Sequence, residues 1–111
     1  MLTIENLKMY GADVDDGLQR CMNNKDFYLR LVNMALQDGS FVDLGNALNQ
    51  KQYDAAFDHA HKLKGVLANL SLTPILEPVS ELTELLRHKT DGDYDGLYTR
   101  MMEEYEKLKA L

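Results

Sequence analysis

Two of the chain's three histidines and two lysines fall in one stretch, Phe57-Asp58-His59-Ala60-His61-Lys62-Leu63-Lys64-Gly65-Val66-Leu67-Ala68-Asn69-Leu70-Ser71-Leu72. An imidazole can take a proton, a metal ion or a phosphoryl group, and its surroundings decide which. Apolar residues recur here at spacings of three and four, so the stretch reads as a helix. At about 100° per residue, Tyr53, Ala56, Ala60, Leu63, Leu67 and Leu70 gather into one buried stripe, with Phe57 and Val66 on its flanks. His61 lies about 130° from the centre of that stripe and should face water. His59 lies about 70° from it and reads as a boundary histidine packed against a neighbour.

Asp58 and Gly65 share the outward side with His61, and the small Ala68 continues it. A glycine inside a helix costs about 1 kcal/mol relative to alanine. A close helix crossing could justify Gly65, but its outward angle weakens that explanation. An exposed imidazole on a low-relief platform fits better, one that a partner's rigid site could reach without a clash. Lys64 lies between the core flank and the His61 side, so its long stem could bring an ammonium near a group carried on His61. Such a cation would stabilise a phosphoryl group by a charge-assisted contact. Lys62 points further away. On geometry alone two readings stay open for His61: a phosphoryl acceptor and a solvated surface histidine.

Other chemistries find less support. His59 and His61 project from nearly opposite sides of the helix, so they cannot hold one metal ion together. Asp54 and Asp58 could add only a weak site, and there is no H-E-x-x-H. No histidine–cysteine–carboxylate arrangement suggests a protease. The glycines form neither G-x-G-x-x-G nor a Walker element. Any phosphate on His61 must therefore come from another protein, with no cofactor bound by this chain.

The elements that must position this stretch are also helical. Thr3 can cap a short helix to about Met9, stopped by Gly11. Asp13 can cap a second, with Val14, Leu18 and Cys21 on its apolar side. Asn23 or Asn24 begins a helix over Lys25–Leu36, whose apolar face holds Phe27, Leu31, Met34 and Ala35, widened by Tyr28 and Val32. Ser40 with Asp43 is the expected cap of a helix over 41–48. Asn49 and Gln52 offer a capping-box start for the helix over 51–70. Thr73 as cap with Pro74 at the first position opens a helix over 74–88, although Pro78 lacks the amide that should bond Pro74's carbonyl. Its stripe is Val79, Leu82 and Leu86, widened by Leu85, with Thr83 outside it. The last helix, Tyr94–Lys109, buries Leu97, Met101, Tyr105 and Leu108.

The expected fold is all-α: an antiparallel four-helix bundle (about 24–109) with a short N-terminal helical extension (about 3–22), in a single domain over 1–111. Its first rod would be Lys25–Leu36 continued through 41–48, with a corner or kink at Asp38-Gly39-Ser40. A length of 111 residues fits one domain. The net charge of −6 argues against nucleic-acid binding. The single cysteine, Cys21, forms no intrachain disulfide and reads as a small core residue. No signal-peptide pattern and no apolar run of about 18 residues occurs, so a cytoplasmic protein that neither enters nor binds a membrane is expected.

Ala60-His61-Lys62-Leu63-Lys64-Gly65, followed by Asn69-Leu70-Ser71-Leu72, resembles the A-H-x-L-K-G and N-[LI]-G-[LA] elements of the histidine-containing phosphotransfer (HPt) family. Upstream, residues 11–21 and Asp26-Phe27-Tyr28 are similar to the N-terminal half of such domains, so the resemblance covers about 3–108. The sequence departs from the family at Ser71, where glycine is usual, and at Pro74 and Pro78. The resemblance implies that His61 is the phosphoryl acceptor, Lys64 the phosphate-supporting cation and Gly65 the close-approach glycine. Asp58, Lys62 and Ala68 would join Gly65 in docking. It further implies a phosphorelay intermediate that takes phosphoryl from an aspartyl phosphate on a response-regulator receiver domain and returns it to another receiver. A hybrid sensor kinase is a further partner, and magnesium would belong to the receiver. The domain would be a monomeric carrier without autonomous kinase activity. The alternative is a non-catalytic helical module that binds a signalling partner without taking phosphate. Met1 and the lack of a linker tail fit a free-standing chain.

Overall fold

The computed structural model describes all residues, Met1–Leu111, and every regular element in it is an α-helix. In chain order these are α1 (Ile4–Tyr10), α2 (Val14–Arg20), α3 (Lys25–Leu36), α4 (Ser40–Asn49), α5 (Tyr53–Asn69), α6 (Thr73–Arg87) and α7 (Tyr94–Lys109). The all-α expectation holds, but the chain is not four plain rods: it has seven helices, and α3 and α4 are separate. The main packing runs from neighbour to neighbour, α4 on α5, α5 on α6 and α6 on α7. α7 returns along the α3–α4 junction in the opposite direction. Its Tyr98 hydroxyl donates to the Phe41 carbonyl and its Tyr105 hydroxyl to the Leu36 carbonyl.

Three caps, Thr3, Asp13 and Asn24, fall where the sequence puts them, and Asp93 adds a fourth. The side chains of Thr3, Asp13, Asn24 and Asp93 accept from the amides of Asn6, Asp16, Phe27 and Gly96. Each satisfies one of the amides that a helix start leaves without an intrahelical partner. Gly11 ends α1 in the left-handed region at φ 111°.

Three starts differ from expectation. Ser40 is not the cap of α4 but its first, buried residue. Asp38 lies two residues earlier and accepts from the Ser40 amide at 2.8 Å, which makes the corner. Asn49 belongs to the end of α4 and Gln52 makes no side-chain cap bond, so there is no capping box. Lys51 turns the chain instead, at φ 56°. Thr73 is already helical, and α6 runs through Pro78 without a break in its assignment. The proline sits near enough to the N-terminus that it removes only one early bond.

The core differs in four places. Met34 is exposed, and α3 instead buries Tyr28, Val32, Ala35 and Leu36, at spacings of four, three and one. Tyr53 is 42% exposed, because it sits at the first turn of α5, where its ring packs on Tyr94 at a centroid distance of 5.5 Å. Thr83 is fully buried; its hydroxyl donates to the Val79 carbonyl at 2.7 Å, which removes the cost of burying it. Leu97 and Tyr105 are only half-buried, while Met101 and Leu108 are fully buried on α7 as expected.

Candidate functional site

The buried face of α5 is Ala56, Ala60, Leu63 and Leu67, as the spacing requires. This fixes the opposite strip. His61, Asp58 and Gly65 are exposed on it, Ala68 is half-buried at its edge, and His59 is half-buried elsewhere. A methyl group added to Gly65 would meet nothing within 4 Å. No helix crossing within the protein therefore requires that glycine.

The His61 ring stacks on Phe57, one turn earlier, with centroids 5.4 Å apart and planes 8° from parallel. A flat aromatic floor of this kind restricts the imidazole to few rotamers while leaving its edge in water. The Arg87 guanidinium, from α6, lies 5.1 Å from the centroid of the same Phe57 ring.

The two lysines leave the strip in different directions. Lys62 reaches Asp38 at the α3–α4 junction, 3.3 Å away. Partial burial pushes the Asp38 carboxyl up, but its bonds to Ser40 and the Lys62 ammonium outweigh that and hold it below the usual carboxylate range. Lys62 thus ties α5 to the start of α4 and is not directed at His61. Lys64 reaches α6, where its ammonium donates to Glu84 Oε1 at 3.1 Å. The other Glu84 oxygen takes Arg87 Nε at 3.3 Å and lies 3.6 Å from His88 Nε2. The hydrogen bond from Lys64, with Arg87 beside it, keeps the Glu84 carboxyl below its ordinary range.

Phe57, Glu84, Arg87 and His88 were not among the expected site residues. Phe57 was legible: it precedes His61 by four positions, the spacing that stacks two side chains on one helix face. The α6 residues had no such signal, because only the register between α5 and α6 brings Glu84 to Lys64.

The C-terminal end of α5 is pinned from below. Ser71 takes the left-handed conformation at φ 55°, a region that favours glycine. Its hydroxyl donates to Asp16 at 2.5 Å, and its carbonyl accepts from the Asp13 amide at 3.0 Å. Tyr28, fully buried, donates its hydroxyl to the Leu70 carbonyl at 2.8 Å. Burial pushes that hydroxyl up to about 12, so it stays a donor at any ordinary pH.

No group of three or more His, Cys, Asp or Glu side chains is arranged to hold a metal ion. A surface hollow of about 580 Å³ lies along α7 around Tyr98, Met102 and Glu106 and does not include His61. His61 stands on an open face, suited to a macromolecular partner more than to a small substrate needing enclosure. No helix is long and apolar enough to cross a membrane.

A family model for the Hpt domain matches residues 37–110, from the corner before α4 to the end of α7. The chain belongs to the Hpt domain family, whose general role is in phosphorelays with receiver and sensor-kinase domains. Curated proteins and solved structures give no match to it.

Proposed function

We propose that this protein is a phosphoryl carrier in a phosphorelay, and that His61 accepts the phosphoryl group from the aspartyl phosphate of one receiver domain and passes it to the aspartate of another. The observation that carries this reading is the exposed His61 beside Gly65, where an added Cβ would meet open space. Such a platform lets a second protein's rigid site approach the imidazole closely.

In the forward step, the lone pair of one imidazole nitrogen forms the N–P bond. The P–O bond to the receiver's aspartate breaks, and its carboxylate leaves with the electron pair. The other ring nitrogen keeps its proton or gives it to water, and the return step is the reverse. This chain supplies the nucleophile, held by Phe57, and the Lys64 ammonium. The receiver supplies its own magnesium and most of the charge stabilisation, in keeping with chemistry dominated by positioning. The scaffold for this is α4 to α7, acting as the antiparallel four-helix unit, in a monomeric cytoplasmic carrier with no bound cofactor and no kinase activity of its own. Gly65, Ala68 and Asp58 line the docking strip, while Lys62 contributes by holding α5 against α4.

The test is incubation of the purified protein with a receiver domain phosphorylated on aspartate. Acid-labile, base-stable label should appear on His61. H61Q should lose all label while its melting curve and receiver binding survive. Absence of transfer from a broad panel of receivers, with binding intact, would leave a non-catalytic interaction module in its place.

A further inference from the structure

The contacts that start at His61 run from α5 to α6 and back to α5. His61 stacks on Phe57, Phe57 carries the Arg87 guanidinium, Arg87 pairs with Glu84, and Glu84 pairs with Lys64, which lies one turn from His61 on the same helix. One carboxylate therefore faces the cations that flank the acceptor. We propose that Glu84 is a positioning residue that sets how the phosphoryl group divides between His61 and a receiver, by competing with that group for the Lys64 ammonium.

The inference rests on the carrier reading and goes beyond it. The Lys64–Glu84 pair is well placed to compete without locking. The two side chains are 34% and 46% exposed, and pairs so open to water are weak. A phosphoryl group carries between one and two negative charges and three strong acceptor oxygens, so it outbids a single carboxylate. The lysine stem starts three residues after His61 and is long enough to swing from the α6 side to the strip. While His61 is bare, Glu84 holds Lys64 against α6. Once His61 is loaded, Lys64 transfers to the phosphoryl group, and Glu84 keeps Arg87. Each loaded state must therefore give up the Lys64–Glu84 contact, and that loss pushes the phosphoryl group onward to the receiver.

The experiment measures how phosphoryl label divides at equilibrium between His61 and a receiver aspartate, in the full chain with magnesium present. E84Q, which keeps the shape and removes the charge, should raise the His61 share several-fold. K64A should lower it. In the K64A background, E84Q should change the ratio by less than twofold, because the residue it competes for is gone. A purely structural role for Glu84 would alter the melting temperature and leave the partition alone. An unchanged partition in E84Q overturns the inference, as does an equal rise with and without Lys64. A wild-type chain that takes no label from any receiver overturns the carrier reading as well, so the two failures are told apart.

Discussion

A methyl group added to Gly17 would lie 2.6 Å from Tyr28 Cε1 and 2.9 Å from the Leu70 carbonyl oxygen, whereas one added to Gly65 would meet nothing within 4 Å. Both glycines are helical, one on α2 beneath the end of α5 and one on the outer strip of α5. Gly17 is required by the protein's own packing: it lets α2 approach the buried Tyr28–Leu70 hydrogen bond. Gly65 answers to no internal neighbour and weakens its helix without a return within the fold. The end of α5 is thus a finished interior, with its polar groups bonded to α2 and α3. The middle of α5 is an open surface, which the proposed function assigns to a second molecule. A glycine's sequence context looks alike in the two places; the space around it separates them.

Substitutions can break this contrast. The largest effect is expected for G17A. The added methyl forces Tyr28 or the Leu70 carbonyl to move, and overpacking of this kind costs about 1–3 kcal/mol. It should lower the midpoint of chemical denaturation strongly, while the folded fraction still accepts phosphate. A midpoint equal to wild type would show that the α2–α5 contact is loose.

D38A should cost about 1 kcal/mol, since it removes the side-chain cap of α4 and the anchor of Lys62. That corresponds to a fall of about 4 °C in melting temperature. The folded Asp38 carboxyl lies below its usual range, so its stabilisation is complete above about pH 4 and is lost as pH falls through the lower folded value. The gap between wild type and D38A should close in acid. A gap that widened there would contradict the Lys62–Asp38–Ser40 arrangement.

The smallest effect on stability is expected for G65A, and with the opposite sign. With open space at its Cβ, alanine should stabilise α5 by about 0.5–1 kcal/mol. Transfer from a receiver should slow by about tenfold, or roughly 1.4 kcal/mol of barrier, because the methyl group lifts the partner off the imidazole. G65A that both destabilises the fold and transfers normally would put the glycine's purpose inside the protein.

Much of this was legible in order. The three-and-four spacing found all seven helices, and Thr3, Asp13 and Asn24 gave three of their starts, because a short polar side chain reaches its own helix's amides. The caps that failed were those where the turn was made otherwise. Asp38 caps from outside the helix it starts, and Lys51 turns the chain in a left-handed conformation that sequence does not favour. Met34 and Thr83 were misplaced because a helix meeting several neighbours buries whichever face the tertiary packing selects. Thr83 also carries its own solution to burial in the Val79 carbonyl.

The sequence by itself determined the outward direction of His61, since a helix's period ties each residue's angle to the buried stripe. It also determined the low relief beside the imidazole, because Gly65 and Ala68 are small whatever they pack against. Only the tertiary structure decided where the cations go. Lys62 and Lys64 differ by two positions in the chain, yet one is held by the α3–α4 corner and the other by Glu84 on α6. The physical reason is that a long charged side chain follows the nearest opposite charge, and that charge sits on another helix whose register no local spacing encodes.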